Sequence, residues 1–593
     1  MATSNMRQEL KSAFETTPGC DDAFIDRCAE LCNTYNVTPS NLYYKWESIV
    51  LDPKAVGNRI ITPDTPAAIK SIIQAELARA ALSQRVKAEP SSKKARGGAP
   101  VGMLGIGGRM NQRYGGVGLI QTPKPGASSA LQSKNAIGRR SGTSKVVFQS
   151  LEIDEASQDK RSYKYMYEKI SERSEVLDER IDEFADLVRK HYDVSELSDP
   201  AASTDDDVVV VGRITLDAEA SSSSSVKLNE ASLYLESSRM MGSGARVALK
   251  FDVNARVRGG PKGRGSVGLF PGAIVALKGK NGGGGWFSVG EILSLPPLTP
   301  SSAENPTKQE PRDSSFSMVV ASGPYTADAD LRYTPWSSLQ QQLLSQKPAV
   351  VLLIGPFVDS SHPKIKAGDL DETPVDMFNN KFTESLRDFL DISPDSLVLL
   401  VPSVRDMLSN HCAFPQSQLG PELAGDTRIK LLPNPSRFSL NGVAFAVTSV
   451  DVLFHLRKEE LVKKVEEIDS YDLGGHDPAI DTMSNLCRHM LQQRTFYPLF
   501  PTPFDLSHEV NLDVSHLESL RLCSEDAPST APDVLIVPSR LKHFSKVVDN
   551  TVAVNPSFLT KNTFASLSYG GQGDGPVIDR LKAEIARLSE AAS

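Results

Sequence analysis

The chain is poor in the features that mark secreted, membrane or basic DNA-gripping proteins. Six cysteines (Cys20, Cys28, Cys32, Cys412, Cys487 and Cys523) are scattered through 593 residues. Such usage excludes a disulfide framework and suits buried free thiols in a reducing compartment. No apolar run is long enough to cross a bilayer, and the opening MATSNMRQEL has no apolar signal core. These absences predict cytosol or nucleus. Positive charge is not in excess, since 65 Lys and Arg face 73 Asp and Glu for a net charge of -8. No overall field therefore draws the chain to a phosphate backbone. A Gly-x-Ser-x-Gly elbow and a Walker-type phosphate loop are both missing, which removes two common catalytic designs.

What the chain does contain is a set of short apolar runs that end in Gly-Pro or Pro-Ser. Val350–Asp359 reads VVLLIGPFVD. Met318-Val-Val-Ala321 runs into Ser322-Gly323-Pro324, Leu397–Val401 into Pro402-Ser403, and Val534–Val537 into Pro538-Ser539. Uninterrupted apolar runs of this length predict strands of an α/β sheet covered on both faces. Loops past the carboxyl ends of such strands usually carry function, and these four are expected at one edge of one domain.

Taken in order, residues 1–82 predict a helical protein-docking bundle. Phe24, Cys28, Leu31 and Cys32 repeat at helical spacing. Thr38-Pro39 and Thr65-Pro66 supply start signals, before the faces Leu42, Trp46, Ile49, Val50 and Ile69, Ile72, Ile73, Leu77. Cys28 and Cys32, one turn apart, have the spacing of half a metal site, but no second pair or histidine lies nearby, so they read as core thiols. Residues 83–160, rich in Ser, Gly, Lys, Arg and Pro, predict a flexible linker. It carries the basic cluster Lys93-Lys94-Ala95-Arg96 and Thr122-Pro123, a candidate phosphorylation site. The glycines of 102–108 follow no strand and open no helix, so they make no phosphate cradle.

Residues 161–206 hold a helix, Tyr163 to Tyr192, with Met166, Ile170, Leu177, Ile181, Phe184 and Val188 on one face. Residues 207–300 alternate short strands with Gly-rich turns, predicting an OB-type barrel. Arg256, Arg258, Lys262 and Arg264 are expected in a Gly-rich loop. Trp286 and Phe287 are adjacent, so one of them faces the core. A protein-binding or structural barrel is favoured over a single-strand binder, which needs a basic groove with stacking aromatics. A Pro/Ser linker leads to 316–593, the α/β domain. Helices are expected over Pro374–Leu390, Ile480–Arg494 and, last, Val577–Leu588.

The strand pattern of 316–593 resembles the calcineurin-like metallophosphoesterases. In that family the strand ends carry Asp-x-His, Gly-Asp-x-x-Asp, Gly-Asn-His-Asp/Glu, a lone His and Gly-His-x-His, because two adjacent divalent ions need several converging ligands. Here the corresponding positions are Ser322 with Pro324, then Pro356 with Asp359, then Val404, Arg405 and Asp406, then Thr448-Ser449, then Ser539 with Leu541. Proline and valine offer no donor atom, and the permanent cation of Arg405 repels a metal. Asp359 and Asp406 are the surviving acids. His362, His411 and His543 lie near these loops and read as hydrogen-bonded or surface histidines rather than ligands.

The order of the parts, multidomain α/β with a helical bundle, an OB-type barrel and a catalytically degraded phosphoesterase domain, resembles the B subunits of eukaryotic DNA polymerase alpha–primase. The matching segments are Val320-Ala-Ser-Gly-Pro-Tyr325, Leu353-Ile-Gly-Pro-Phe-Val-Asp359, Leu269-Phe-Pro-Gly-Ala-Ile-Val-Ala-Leu-Lys278, Leu400-Val-Pro-Ser-Val-Arg-Asp406 and Gln492-Gln-Arg-Thr-Phe-Tyr-Pro498. The resemblance implies a non-catalytic regulatory and scaffolding subunit that acts in the nucleus in priming of replication and needs no cofactor. Barrel and phosphoesterase domain would form one rigid unit that binds the zinc-bearing C-terminal domain of the catalytic subunit. Primase subunits would be reached through the complex, replication factors through the N-terminal bundle, and DNA mostly indirectly, with no membrane partner. Two readings from other classes stay open: a residual metal-dependent phosphoesterase or nuclease using Asp359, and a single-stranded-DNA-binding barrel.

Overall fold

The computed structural model describes residues 2–14, 17–18, 20–35, 37–50, 61, 65–66 and 69–70, then 145–150, 169–216, 227–301, 315–409, 412–472, 481–523, 528–571 and 576–588. Thr122, the basic cluster at 93–96, most of the expected linker, Met166 and His411 lie outside these residues. The chain divides into two compact units, Met1–Gln132 and Ser133–Ser593.

The first unit contains α1 (Ala2–Phe14), α2 (Asp22–Tyr35) and α3 (Pro39–Val50). Asp21 caps α2 by accepting from Phe24 N at 2.7 Å, and Pro39 opens α3. Phe14 is the hub. It meets Phe24, Tyr43 and Trp46 edge-on at 5.3, 5.1 and 5.5 Å. Cys28, Cys32, Leu42 and Ile69 complete this core. Burial pushes the Cys28 thiol up to about 12, so it sits in the core as a thiol.

The second unit opens with β1 (Phe148–Ser150), which lies inside the expected linker. It pairs antiparallel with Ser436–Leu440, Val146 is buried, and Asn441 Oδ1 accepts from Val147 N at 2.8 Å. The run Val146-Val147-Phe148 has strand chemistry, but its partner lies almost 300 positions away. Next comes α4 (Ile170–Tyr192), which buries Ile181, Phe184 and Val188, whereas Ile170 is exposed.

The barrel strands are β2 (Val208–Leu216), β3 (Leu233–Glu236), β4 (Arg246–Arg258), β6 (Ile274–Lys280) and β7 (Trp286–Leu293), with β5 (Ser266–Leu269) between β4 and β6 in the chain but outside the ring. Antiparallel pairings run β4-β3-β2-β6-β7, and a parallel β4–β7 pairing closes a ring of five strands. Alternation along β2 decides what each face touches. Val210 and Ile214 join the barrel interior, whereas Val211 packs under α4 with Ile274, Ala276 and Leu293. Phe287 is fully buried and Trp286 is partly exposed, the opposed facing expected of neighbours in a strand. Arg256 and Arg258 belong to β4 rather than to a Gly-rich loop. Both pair with Glu291 on β7.

The remaining strands are β8 (Phe316–Ser322), β9 (Val350–Ile354), β10 (Leu397–Val401), β11 (Ile429–Leu431), β12 (Ser436–Leu440), β13 (Val443–Val447), β14 (Leu461–Lys464), β15 (Glu466–Ile468), β16 (Val534–Ile536), β17 (Phe544–Val548), β18 (Thr551–Asn555), β19 (Thr563–Tyr569) and β20 (Leu581–Arg587). Helices α5 (Thr334–Gln346), α6 (Glu384–Ile392), α7 (Val452–Glu459) and α8 (Thr482–Gln493) lie between them. One sheet runs β11-β10-β9-β8-β19-β20 and the other β1-β12-β13-β16-β18-β17. The four strand runs are thus shared between two sheets, with β16 in the second.

Val350, Leu352 and Ile354 point into the core between the sheets, among Phe438, Phe445 and Ile536. Val351 and Leu353 point the other way, against Trp336 and Leu339 of α5 and Phe389 of α6. That double burial is why the run has no polar position. The last segment corrects the expected helix: only Val577–Arg580 forms a helical turn, and Leu581–Arg587 is an edge strand on β19. LKAEIAR satisfies period 2 as well as period 3.6, and the open edge of β19 selects the former. Cys412 likewise departs from expectation, being exposed.

Barrel and sandwich are joined by exchanged backbone. β14 pairs with β5 and β15 with β4. Gln493 binds both the N–H and the C=O of Ile274 at 2.9 Å, so its amide imitates a neighbouring strand. Gly272 is needed here, because a Cβ would lie 2.2 Å from Phe500 N. The segments 269–278 and 492–498 thus meet along this seam.

Candidate functional site

The carboxyl ends of β8, β9 and β10 carry most of the predicted site positions. Their ladder continues past the strands, since Gly323 N donates to Ile354 O at 2.7 Å and Gly355 N to Val401 O at 2.8 Å. A Cβ on Gly355 would lie 2.2 Å from Asp406 Oδ2, so only glycine admits this carboxylate. Asp406 is buried and staples two loops together. Its Oδ1 accepts from Phe357 N at 2.5 Å and Val358 N at 3.1 Å, and its Oδ2 from Ser403 N at 2.8 Å. Burial pushes its pKa up to about 7, the three backbone donors pull the other way, and the Asp359 charge adds to the rise.

Asp359 is equally engaged. Oδ1 accepts from Ser361 N at 2.9 Å and Ser361 Oγ at 2.6 Å, and Oδ2 accepts from Arg405 Nη2 at 2.8 Å. Pro356, Val404 and Ser322 are buried beside them. Phe357 turns away from the strand ends and stacks on Tyr325 with ring centroids 5.5 Å apart. His362 caps a single helical turn and lies 3.0 Å from Ala327 O, so its ring is already engaged.

The second sheet presents a different set. Ser539 N donates to Asn555 Oδ1 at 2.9 Å, and Ser539 Oγ accepts from Leu541 N at 3.1 Å. Arg540 binds Asp451 Oδ2 at 2.9 Å, forms an ion pair with Glu509 and covers the Phe454 ring at 4.4 Å. Burial disfavours the Glu509 anion, but the His455 hydrogen bond and the Arg540 charge win and hold its pKa at about 2. Leu541 packs against the barrel-side core.

The two sets are joined through residues that no motif marked. Gln416 Nε2 donates to Ser403 O at 3.0 Å, Asn434 Nδ2 to Ser449 Oγ at 2.7 Å, and Thr448 Oγ1 to Asn434 Oδ1 at 3.3 Å. The structure therefore brings Ser322, Pro324, Pro356, Asp359, Val404, Arg405 and Asp406 together, with Ser539 and Leu541 at the neighbouring strand ends. Gln416, Asn434, Asp451 and Glu509 were missed. Only Asp451 had a local signal, as the N-cap of α7.

A binuclear metal centre does not fit these residues. Both Asp359 oxygens and both Asp406 oxygens already accept hydrogen bonds, and Arg405 adds a fixed positive charge. Among the described residues no group of three or more His, Cys, Asp or Glu side chains is arranged to hold a metal ion.

Residues 318–546 match the family model for the B subunit of DNA polymerases alpha and epsilon, and residues 174–295 match the OB domain of the DNA polymerase alpha B subunit. These two matches fall on the five-stranded barrel and on most of the α/β sandwich, and they give the class as a B subunit of a DNA polymerase. The DNA polymerase alpha B subunit of Schizosaccharomyces pombe is 32% identical over 612 aligned residues, 96% of this chain and 99% of the relative. That of Saccharomyces cerevisiae is 31% identical, with 69% of this chain and 60% of the relative covered. That of Rattus norvegicus is 29% identical, with 70% and 63% covered. The chain belongs to the family of DNA polymerase alpha B subunits.

Proposed function

We propose that this protein is a non-catalytic regulatory and scaffolding subunit of the DNA polymerase alpha–primase complex. Its sandwich is a calcineurin-like phosphoesterase scaffold whose strand-end face serves structure. The observation that carries this reading is the Arg405–Asp359 ion pair at 2.8 Å, which closes the last acid of the Gly-x-x-x-Asp strand end against a metal. With hydrolysis removed, barrel and sandwich act as one body that binds the C-terminal domain of the catalytic subunit. Primase subunits are reached through that complex, replication factors through the N-terminal bundle, and DNA mostly indirectly. The site of action is the nucleus, in priming of DNA synthesis.

Co-expression with the C-terminal region of a catalytic polymerase subunit tests it. A stoichiometric complex on size exclusion is expected, with no release of a chromogenic phosphodiester product in manganese. Absence of a complex, or manganese-dependent turnover that Asp359→Ala abolishes, overturns it.

A further inference from the structure

A groove of about 520 Å³ lies between α4 and the segments that follow α8. Its floor is apolar, with Phe184 and Leu187, and its rim carries Arg180, Lys190, Arg494 and Arg521 against the carboxylates of Glu183 and Asp186. Those two acids are already committed, Glu183 to Arg521 and Asp186 to Arg189. Arg180 donates to Gln493 O at 2.8 Å and Arg494 to Pro528 O at 3.1 Å. Each of these contacts is with a neutral carbonyl, so two guanidinium charges have no carboxylate partner among the described residues. Burial disfavours the Arg180 cation, and the neighbouring Arg521 and Arg494 charges disfavour it further against Glu183.

The arginines are held in place by backbone. Thr495 and Arg521 form an antiparallel bridge, and Leu522 N donates to Arg494 O at 3.0 Å. Arg494 also stands at the left-handed cap of α8, with φ of 53°. Glycine is the preferred residue there, so arginine is present at a backbone cost.

We propose that this groove binds an acidic peptide segment of a partner protein, one in which a carboxylate stands beside an apolar side chain. Planar guanidinium groups match a carboxylate in two-pronged fashion, and the half-buried Leu187 takes the apolar neighbour. A nucleic-acid strand fits less well. It needs a long continuous basic track and open aromatic faces, whereas the four cations here form a short cluster interrupted by Glu183 and Asp186, and Phe184 is only 8% exposed. The groove owes nothing to the chemistry of the strand ends.

The test is fluorescence polarisation on the full chain with a labelled, end-blocked peptide Gly-Phe-Asp-Asp-Leu-Gly. Its controls are the same peptide with Asn for Asp, and a labelled poly-dT strand. The acidic peptide is expected to bind with Kd of roughly 0.1 mM, and the Asn peptide at least ~10-fold more weakly. Arg494→Gly should weaken binding by ~10-fold while leaving the urea midpoint unchanged or higher, because glycine suits that backbone. Lys190→Glu, at the exposed rim, should weaken it by ~3-fold. Equal binding of both peptides, no binding of the acidic one at roughly 1 mM, or unchanged affinity in Arg494→Gly overturns the proposal. So does poly-dT binding that both variants lose and the acidic peptide fails to displace.

Discussion

The strand ends of the sandwich and the groove beside α4 handle charge in opposite ways. At the strand ends every carboxylate is answered. Asp406 takes three backbone N–H groups, Asp359 takes Arg405 and Ser361, and Arg540 lies between Asp451 and Glu509. Beside α4, Arg180 and Arg494 meet only carbonyl oxygens among the described residues. A satisfied network holds structure, and breaking it leaves buried charge or buried donors unpaired. A cluster in which cations outnumber the carboxylates, with both carboxylates already paired, contributes nothing comparable to the fold, so it is the place to look for a ligand. The strand-end face therefore has its charges spent on holding loops together, and the face that no motif marked has the open chemistry.

Variants sharpen that contrast. Asp406→Ala has the largest expected effect, because it strands three buried N–H groups; the loss of stability should be roughly 3–5 kcal/mol by urea unfolding. Arg540→Ala leaves Asp451 and Glu509 facing each other without their cation and should cost about 2–3 kcal/mol, with Arg540 partly exposed. Arg405→Ala, at a more open pair, should cost about 1–2 kcal/mol and create no phosphodiesterase activity. A stability loss from Arg494→Gly as large as that from Asp406→Ala would erase the contrast between the two regions.

Two carboxylates give opposite dependences on pH. Asp406 holds its proton up to about 7 in the fold, against 3.8 for an ordinary aspartate. Between those values the folded state binds the proton and the unfolded chain does not, so this contribution is full below pH 3.8 and is lost as pH rises through 7. Glu509, held at about 2 against an ordinary 4.5, contributes above pH 4.5 and loses its contribution as pH falls toward 2. Asp406→Asn should remove the first slope and Glu509→Gln the second, each measured as the urea midpoint against pH.

Much of the fold was legible because it rests on local pattern. Val350–Ile354 shows its double burial in five consecutive apolar residues, all of them buried. The positions that disqualify a metal centre, Pro356, Val404 and Arg405, are read from side-chain chemistry alone. What each charged residue answers was not legible. Arg405 and Asp359 lie 46 positions apart, and Arg540 and Asp451 lie 89 apart. Gln493 looks like any helical glutamine until Ile274 is placed beside it. Arg256 and Arg258 belong to β4 because β7 offers Glu291 at the matching register.

By itself, then, the sequence determined which segments are apolar on one face or on two, where strands end, and which donor atoms are absent from those ends. These are properties of a residue and its near neighbours. Tertiary structure decided the rest: that Leu581–Arg587 is a strand, that Phe148–Ser150 joins a sheet, that the four strand ends divide between two sheets, and that Arg180 and Arg494 share a groove. A short amphipathic segment satisfies more than one periodicity, and a charge finds its partner through space, so both outcomes are set by whichever edge or surface the completed fold leaves beside them.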